Sequence, residues 1–261
     1  MVLAIDVGNS TTNVGLFDGA GKLVLRSRLT TSRNATRDQC AISLKGIFDL
    51  YGADLKAVTG GIVASVVPSV TANICAAVEL LTGRVPMLMG PGVRTGLNIK
   101  SDIHNQMGAD IVACSVAAIA KYPTPVIVID MGTAVTMSYL QGNTYEGCVI
   151  LPGVRVALEA LSERAAELPH ISIEAPGSIF GHNTVDAMRA GVIYGNASMI
   201  DGMIARLEAE SLPAATVVAT GGTAPEILKY CNRDILYDAD LLLDGLYLVY
   251  QKNTEPRQRR A

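Results

Sequence analysis

The sequence predicts an α/β chain built from two like domains that face each other, with polar loops turned into a common cleft. Three observations lead there. Val2-Leu3-Ala4-Ile5 runs into Asp6, then Gly8 and a turn rich in hydroxyl and amide side chains. Val126-Ile127-Val128-Ile129 runs into Asp130, then Gly132, Thr133 and Thr136, about half the 261-residue chain further on. Thr59-Gly60-Gly61 and Thr220-Gly221-Gly222 follow apolar runs in the two halves and read as matching strand ends. The boundary between the copies falls near residue 121, giving domains 1–121 and 122–261.

The first copy reads as strand, tight polar turn, strand: Val2–Ile5, Gly8–Asn13, then Val14, Leu16 and Phe17. Gly8 lets backbone come close to a ligand, and successive amides with hydroxyls can cradle phosphate oxygens. Asp6, at the strand end, is placed to hold Mg²⁺ through water beside them. The competing reading is an ordinary hairpin whose turn happens to be polar, since short Gly-containing motifs occur often by chance. For the first copy alone the two stand level; the second copy tips the balance.

The remaining elements follow in order. Lys22–Thr30 continues as strand, with Arg26 and Arg28 on its polar positions. After the Thr31–Asn34 turn, Cys40, Ile42, Leu44, Ile47 and Phe48 recur at helical spacing over 36–51. Arg26, Arg28 and Arg33 are candidates to approach an anion, although scattered charges usually lie on solvated faces. Val58–Val67 reads as a strand, Ser69–Gly83 as a helix and its stop, and Val85–Leu88 as another strand. Gly90–Ile99, rich in turn residues, reads as a pocket-shaping loop. Asp110 lies at the start of an Ala-rich helix over 111–120, where capping of backbone amides competes with a chemical role.

Beyond the second Asp-x-Gly-Thr loop, Asn143–Leu151 is a strand. Pro152 opens a helix with Val156, Leu158, Ala160 and Leu161 turned inward. Gly181-His182-Asn183-Thr184 caps a long helix on which Gly191 and Gly195 share a face, suited either to packing within the chain or to a dimer. Thr220-Gly221-Gly222 opens a helix ending near Tyr230, a turn able to take a base or a phosphate. Leu241–Tyr250 forms a last amphipathic helix before a polar, basic tail from Lys252.

Composition bounds the function. Hydrophobic residues make up 49% and charged residues 17%, with no Trp and three Phe, so the core rests on aliphatic side chains and the chain is globular. A net charge of −3 gives no electrostatic case for nucleic acid or an anionic membrane as partner. Five dispersed cysteines lack metal-ligand spacing and read as reduced thiols of a cytoplasmic protein. Ala57–Val78 carries no charge, but Pro68 and its glycines break it into strand, loop and helix. The N-terminus shows no signal-like segment.

Together these motifs resemble the type III pantothenate kinases, of the superfamily of acetate and sugar kinases, heat-shock ATPases and actin. The matching stretches are Asp6-Val7-Gly8-Asn9, Ser65-Val66-Val67-Pro68, Gly92–Leu97, Gly108-Ala109-Asp110, Ile129–Thr136, Pro152-Gly153, Asn183-Thr184, Thr220-Gly221-Gly222 and Leu243–Leu246. The resemblance implies duplicated ribonuclease H-like (actin-like ATPase) domains, with mixed central sheets flanked by helices. It implies ATP-dependent phosphorylation of pantothenate at its primary hydroxyl, the first step towards coenzyme A, in a homodimer. Asp110 would then be the general base. Asp6, Val7, Gly8, Asn9, Ser10, Thr11, Thr12 and Asn13, with Thr133, would hold ATP, and Asp6 would hold Mg²⁺ through water. Asp130 would bind potassium or ammonium. Gly108, Ala109, Asp110, Ile111 and Thr184 would line the pantothenate site.

Three positions depart from the family pattern. Met131 stands for the usual Phe, Gly147-Cys148 for Gly-Gly, and Ile111 for an Arg that binds the substrate carboxylate. Arg94, Lys100 or His104 could supply that charge. Ile111 also motivates two other readings: a same-fold kinase for another small hydroxylated metabolite, and a non-catalytic nucleotide-binding regulator.

Overall fold

A computed structural model describes residues 1–99 and 107–255. In chain order its strands are β1 (Val2–Val7), β2 (Thr11–Phe17), β3 (Leu23–Thr30), β4 (Gly60–Ser65), β5 (Met87–Leu88), β6 (Asn98–Ile99), β7 (Val126–Met131), β8 (Ala134–Gln141), β9 (Thr144–Pro152), β10 (Thr216–Thr220) and β11 (Leu236–Tyr237). Its α-helices are α1 (Arg37–Tyr51), α2 (Pro68–Thr82), α3 (Ala109–Lys121), α4 (Val154–Arg164), α5 (Thr184–Glu210), α6 (Ala224–Leu228) and α7 (Leu241–Thr254). Two compact units result: one holds residues 1–96, 102–117 and 240–261, the other 97–101 and 118–239.

The first unit is built on a sheet ordered β3-β2-β1-β4-β5, antiparallel from β3 to β1 and parallel from β1 through β4 to β5. β1 is apolar from Val2 to Ile5 because both its faces are covered. Leu3, Ile5 and Val7 join Val14, Leu16, Val63 and the inner residues of α1 and α2 in one core. α1 begins at a capping box, in which Thr36 accepts from the Gln39 amide and Gln39 reaches back to the Thr36 amide. α2 begins with Pro68 at its first position and stops at Gly83, whose φ is 66°. The uncharged Ala57–Val78 stretch is thus β4, a turn and α2, and no helix among the described residues is long and apolar enough to cross a membrane.

α7 covers the opposite face of this sheet. Glycines there leave room for it: a Cβ on Gly15 would stand 3.0 Å from Leu243, and one on Gly60 would collide with the Tyr250 hydroxyl. Phe17 and Tyr247 stack with centroids 4.4 Å apart. Gly245 meets the Ala113 carbonyl so closely that no side chain fits between α7 and the first half of α3. The C-terminal helix therefore completes the first unit, although it follows residue 121 in sequence.

The second unit repeats the plan, with sheet order β11-β10-β7-β8-β9-β6. Ile127, Ile129, Met131, Val135, Met137 and Tyr139 form one core with Val154 of α4, Ile193, Ile200 and Ile204 of α5, and Ile227 of α6. Asp6 pairs in register with Asn13 on β2 and Ala64 on β4, and Asp130 with Thr136 on β8 and Thr220 on β10.

That register corrects the Thr-Gly-Gly correspondence. Gly60 and Gly61 open β4, whereas Thr220 closes β10, so the counterpart of Thr220-Gly221-Gly222 is Ala64-Ser65-Val66. α4 also differs from expectation: Val154 and Leu158 are buried, while Val156, Ala160 and Leu161 are exposed. A helix starting at Val154 puts its inward stripe at i and i+4 from that residue, and Pro152 belongs to β9. Part of the expected Gly90–Ile99 loop pairs as β6 beside β9. The basic tail from 256 onward lies outside the described residues.

Candidate active site

In the first unit, the turn joining β1 to β2 is held by its own backbone and by neighbouring side chains. The Gly8 N–H donates to the Thr11 carbonyl at 2.9 Å, closing the turn, and a Cβ on Gly8 would stand 3.0 Å from that oxygen. Asp6 is almost fully buried beneath it, accepting from Asn13 Nδ2 at 3.0 Å. A buried carboxylate needs such partners, because desolvation otherwise favours its neutral form. Asn9 and Ser10 are exposed at the tip, whereas Thr12 is buried, its hydroxyl 2.9 Å from that of Thr31.

The segment following β3 runs alongside this turn. Thr31 N–H donates to the Ser10 carbonyl at 3.0 Å, and the Arg33 guanidinium donates to Asn9 Oδ1 at 3.2 Å. Ser69, near the start of α2, donates to the Arg33 carbonyl at 2.8 Å. The Thr31–Arg33 stretch is thus part of the loop cluster, brought there by the pairing of β3 with β2; in the sequence it reads as a turn, with only Arg33 singled out within it. Arg26 instead pairs with Asp240 at 2.8 Å on the surface. A cavity of about 350 Å³ lies against the same segment, lined by Thr12, Leu29, Thr31, Cys40 and Val70 among others.

Asp110 is the second residue of α3. Its Oδ1 accepts the Ile111 N–H at 2.9 Å, and any side chain on Gly108 would collide with the carboxylate. Gly108 therefore gives Asp110 its space, and one carboxylate oxygen caps an amide of its own helix. Ile111 is half-buried and brings no polar group. Arg94 is exposed, its backbone tied to Asn253 through two hydrogen bonds of 3.0 and 2.9 Å. Lys100 and His104 lie outside the described residues.

In the second unit, Asp130 sits half-buried at the end of β7, with Gly132 and Thr133 exposed in the turn beyond it. The Gly132 N–H donates to the Ala134 carbonyl at 3.0 Å. Two further glycines press against this turn. Gly153 donates to the Thr133 carbonyl at 3.0 Å, and a Cβ on it would collide with the Gly132 and Thr133 carbonyl oxygens. Gly221, with φ of 97°, approaches the Met131 backbone so closely that a Cβ would stand 2.6 Å from it. The buried Thr223 hydroxyl donates to the Met131 carbonyl at 3.0 Å. Pro152-Gly153 and Thr220-Gly221-Gly222, matched in the sequence as separate motifs, are thus supports of one loop. Thr223 adjoins a polar cavity of about 210 Å³ that includes Arg155, Ser162, His170 and Glu226.

Thr184 is exposed at the first position of α5, behind an Asn183 cap that accepts the Asp186 N–H at 2.9 Å. His182 is exposed beside it. Gly191 and Gly195 are also exposed, and a Cβ on either would meet no described atom within 4 Å.

Two Asp-ended strands, each followed by a glycine turn open to solvent, form a plan seen in other proteins. A family profile described as type III pantothenate kinase matches residues 2–206. The chain belongs to the type III pantothenate kinase family. Full-length relatives agree: the type III pantothenate kinase of Halalkalibacterium halodurans is 39% identical over 254 residues, covering 97% of this chain and 100% of its own. That of Geobacillus kaustophilus is 39% identical over 262 residues, covering 98% of this chain and 100% of its own. Among solved structures, the activator of the 2-hydroxyisocaproyl-CoA dehydratase from Clostridium difficile, with bound ADPNP, superposes with a TM-score of 0.59 at 11% identity. It covers 97% of this chain and 93% of its own. Component A of the (R)-2-hydroxyglutaryl-CoA dehydratase from Acidaminococcus fermentans gives 0.56 at 16% identity, covering 97% and 99%. Both likenesses show that this pantothenate kinase family member has the duplicated actin-like fold.

Proposed function

We propose that this chain transfers the γ-phosphoryl group of ATP to the primary hydroxyl of pantothenate, the first step of coenzyme A synthesis. Membership of the type III pantothenate kinase family, over nearly the whole chain, is the observation that carries the reading. It favours pantothenate over the other metabolite or regulator that Ile111 raised.

In this mechanism the Gly8–Asn13 turn receives the phosphate chain on its amides and hydroxyls, with Thr133 touching the nucleotide from its own turn. Asp110 accepts the proton of the attacking hydroxyl through the carboxylate that Gly108 accommodates, as the oxygen bonds to the γ-phosphorus and the bond to ADP breaks. Gly108, Ala109, Ile111 and Thr184 line the pantothenate site. Asp6 and Asp130 are hard oxygen donors, suited to Mg²⁺ through water and to potassium or ammonium respectively. Among the described residues no three His, Cys, Asp or Glu side chains gather to hold an ion by themselves. A bound Mg²⁺ supplies neutralisation of phosphate charge, which fits a single buried Asp6 better than a closed cage of carboxylates. We place the protein in the cytoplasm as a homodimer, with the open Gly191 and Gly195 face of α5 at the interface; light scattering checks the dimer.

The test is an ADP-release assay with ATP, Mg²⁺ and potassium, with and without pantothenate. Pantothenate-dependent turnover is expected in the wild type and is abolished in Asp110→Asn, which still binds ATP. Wild-type protein that binds ATP but releases no ADP at millimolar pantothenate overturns the substrate.

A further inference from the structure

Phosphate chains of nucleotides carry several negative charges, yet the turn assigned to them brings none of the opposite sign. Gly8-Asn9-Ser10-Thr11-Thr12-Asn13 contains no Lys or Arg, and the residue beneath it, Asp6, adds a carboxylate. Neutral amides and hydroxyls orient phosphate, but a cation in a fixed place is what binds it strongly and stabilises charge as it moves during transfer. The structure puts one cation at the tip of this turn. Arg33 is exposed, and of its five N–H donors one goes to Asn9 Oδ1 at 3.2 Å.

Arg33 is also held where a merely solvated arginine would not be. Its carbonyl accepts the Ser69 hydroxyl at 2.8 Å, and Thr31, two residues before it, is fastened to the turn by its amide and its hydroxyl. Of the other arginines of this region, Arg26 pairs with Asp240 and Arg37 with Asp38 at 2.9 Å, while Arg28 is exposed on β3 across from Asn13, away from the tip that Arg33 occupies. An exposed arginine that keeps most of its donors, anchored at its backbone and at one end of its fork, is preorganised for an anion.

We propose that Arg33 is a phosphate-binding residue of this kinase, steered by Asn9 over the β1–β2 turn so that its remaining donors take oxygens of the ATP phosphate chain. The inference rests on the reading of this chain as an ATP-dependent kinase. Its ligand is the phosphate chain, so base and ribose are irrelevant to it, and inorganic tripolyphosphate shares the chemistry.

The experiment compares wild type, Arg33→Gln and Arg33→Lys by calorimetric binding of MgATP and of inorganic tripolyphosphate, at low and high salt, and by steady-state kinetics with each substrate varied. Arg33→Gln is expected to weaken both phosphate ligands and raise the KM for ATP by roughly tenfold or more, because a charge-assisted contact is lost. The KM for pantothenate and the thermal midpoint stay unchanged, the salt dependence of binding shrinks, and Arg33→Lys recovers part of the affinity. A brace for the loop would instead lower the thermal midpoint and would not be rescued by charge. Unchanged ATP and tripolyphosphate binding in Arg33→Gln, or a loss confined to stability, overturns the proposal and leaves pantothenate phosphorylation standing. Loss of tripolyphosphate binding in a protein that does not phosphorylate pantothenate upholds Arg33 and overturns the substrate. A wild type that binds neither phosphate ligand overturns both.

Discussion

At the scale of single residues, Ile111 has the sharpest consequence. It occupies the first turn of α3, directly after Asp110, where an arginine could make a charged contact with a carboxylate and an isoleucine cannot. Ile111→Arg is expected to lower the KM for pantothenate by roughly ten- to hundred-fold, the worth of one charge-assisted hydrogen bond, with the KM for ATP unmoved. Steady-state kinetics with each substrate varied checks it. Cys231 gives a second prediction. Burial, reinforced by the Asp201 carboxylate, pushes its thiol up to about 11. The thiol therefore stays protonated at pH 9 and resists iodoacetamide, while a free cysteine peptide reacts. The linkage has a definite sign: above the ordinary thiol pKa the unfolded chain loses this proton first, so stability falls as pH rises towards 11. Cys231→Ala flattens that decline in urea titrations repeated across the range.

At the scale of elements, the two Asp-ended strands were legible because a strand buried on both faces must be apolar throughout, and a single Asp at its end stands out. Helix limits were legible where capping chemistry is explicit, as at Thr36 with Gln39 and at Gly83. The inward face of α4 was misread because the helix has only two buried residues, Val154 and Leu158, and its exposed Val156 and Leu161 supply a false stripe. The Thr-Gly-Gly pair misled for another reason: identical tripeptides say nothing of which end of a strand they occupy. The contact of Arg33 with Asn9 crosses between loops far apart in sequence, and no local pattern encodes it. What Gly221 does was equally hidden, since its value lies in the Met131 backbone beside it. Gly221→Ala forces a side chain onto a φ of 97° and against that backbone. Destabilisation of about 3 kcal/mol or more is expected, read from urea unfolding, with the Asp130–Thr133 turn the first region to lose hydrogen-exchange protection.

At the scale of the whole molecule, duplication in the sequence forecast two similar sheets, and the order β3-β2-β1-β4-β5 recurs as β9-β8-β7-β10-β11. It did not forecast where the last helix goes. Sequence position suggests that α7 belongs with the second copy, but the glycines of β2 and β4 are shaped for Leu243 and Tyr250, and α7 lies with the first sheet. Ending the chain after Ala239 exposes that sheet face while leaving the core around Ile127, Met137 and Ile200 intact. Limited proteolysis of the shortened protein is expected to digest residues 1–96 and spare a fragment spanning 118–239.

The same discontinuity dictates an order of events during synthesis. Residues 118–239 are contiguous, so the second sheet and its helices can close as soon as they leave the ribosome. The first sheet emerges earlier and waits, with Gly15, Phe17 and Gly60 uncovered, until α7 appears more than a hundred residues after β4. The half of the protein that is made first is therefore finished last, and the sheet that carries the β1–β2 turn is completed only once α7 has emerged.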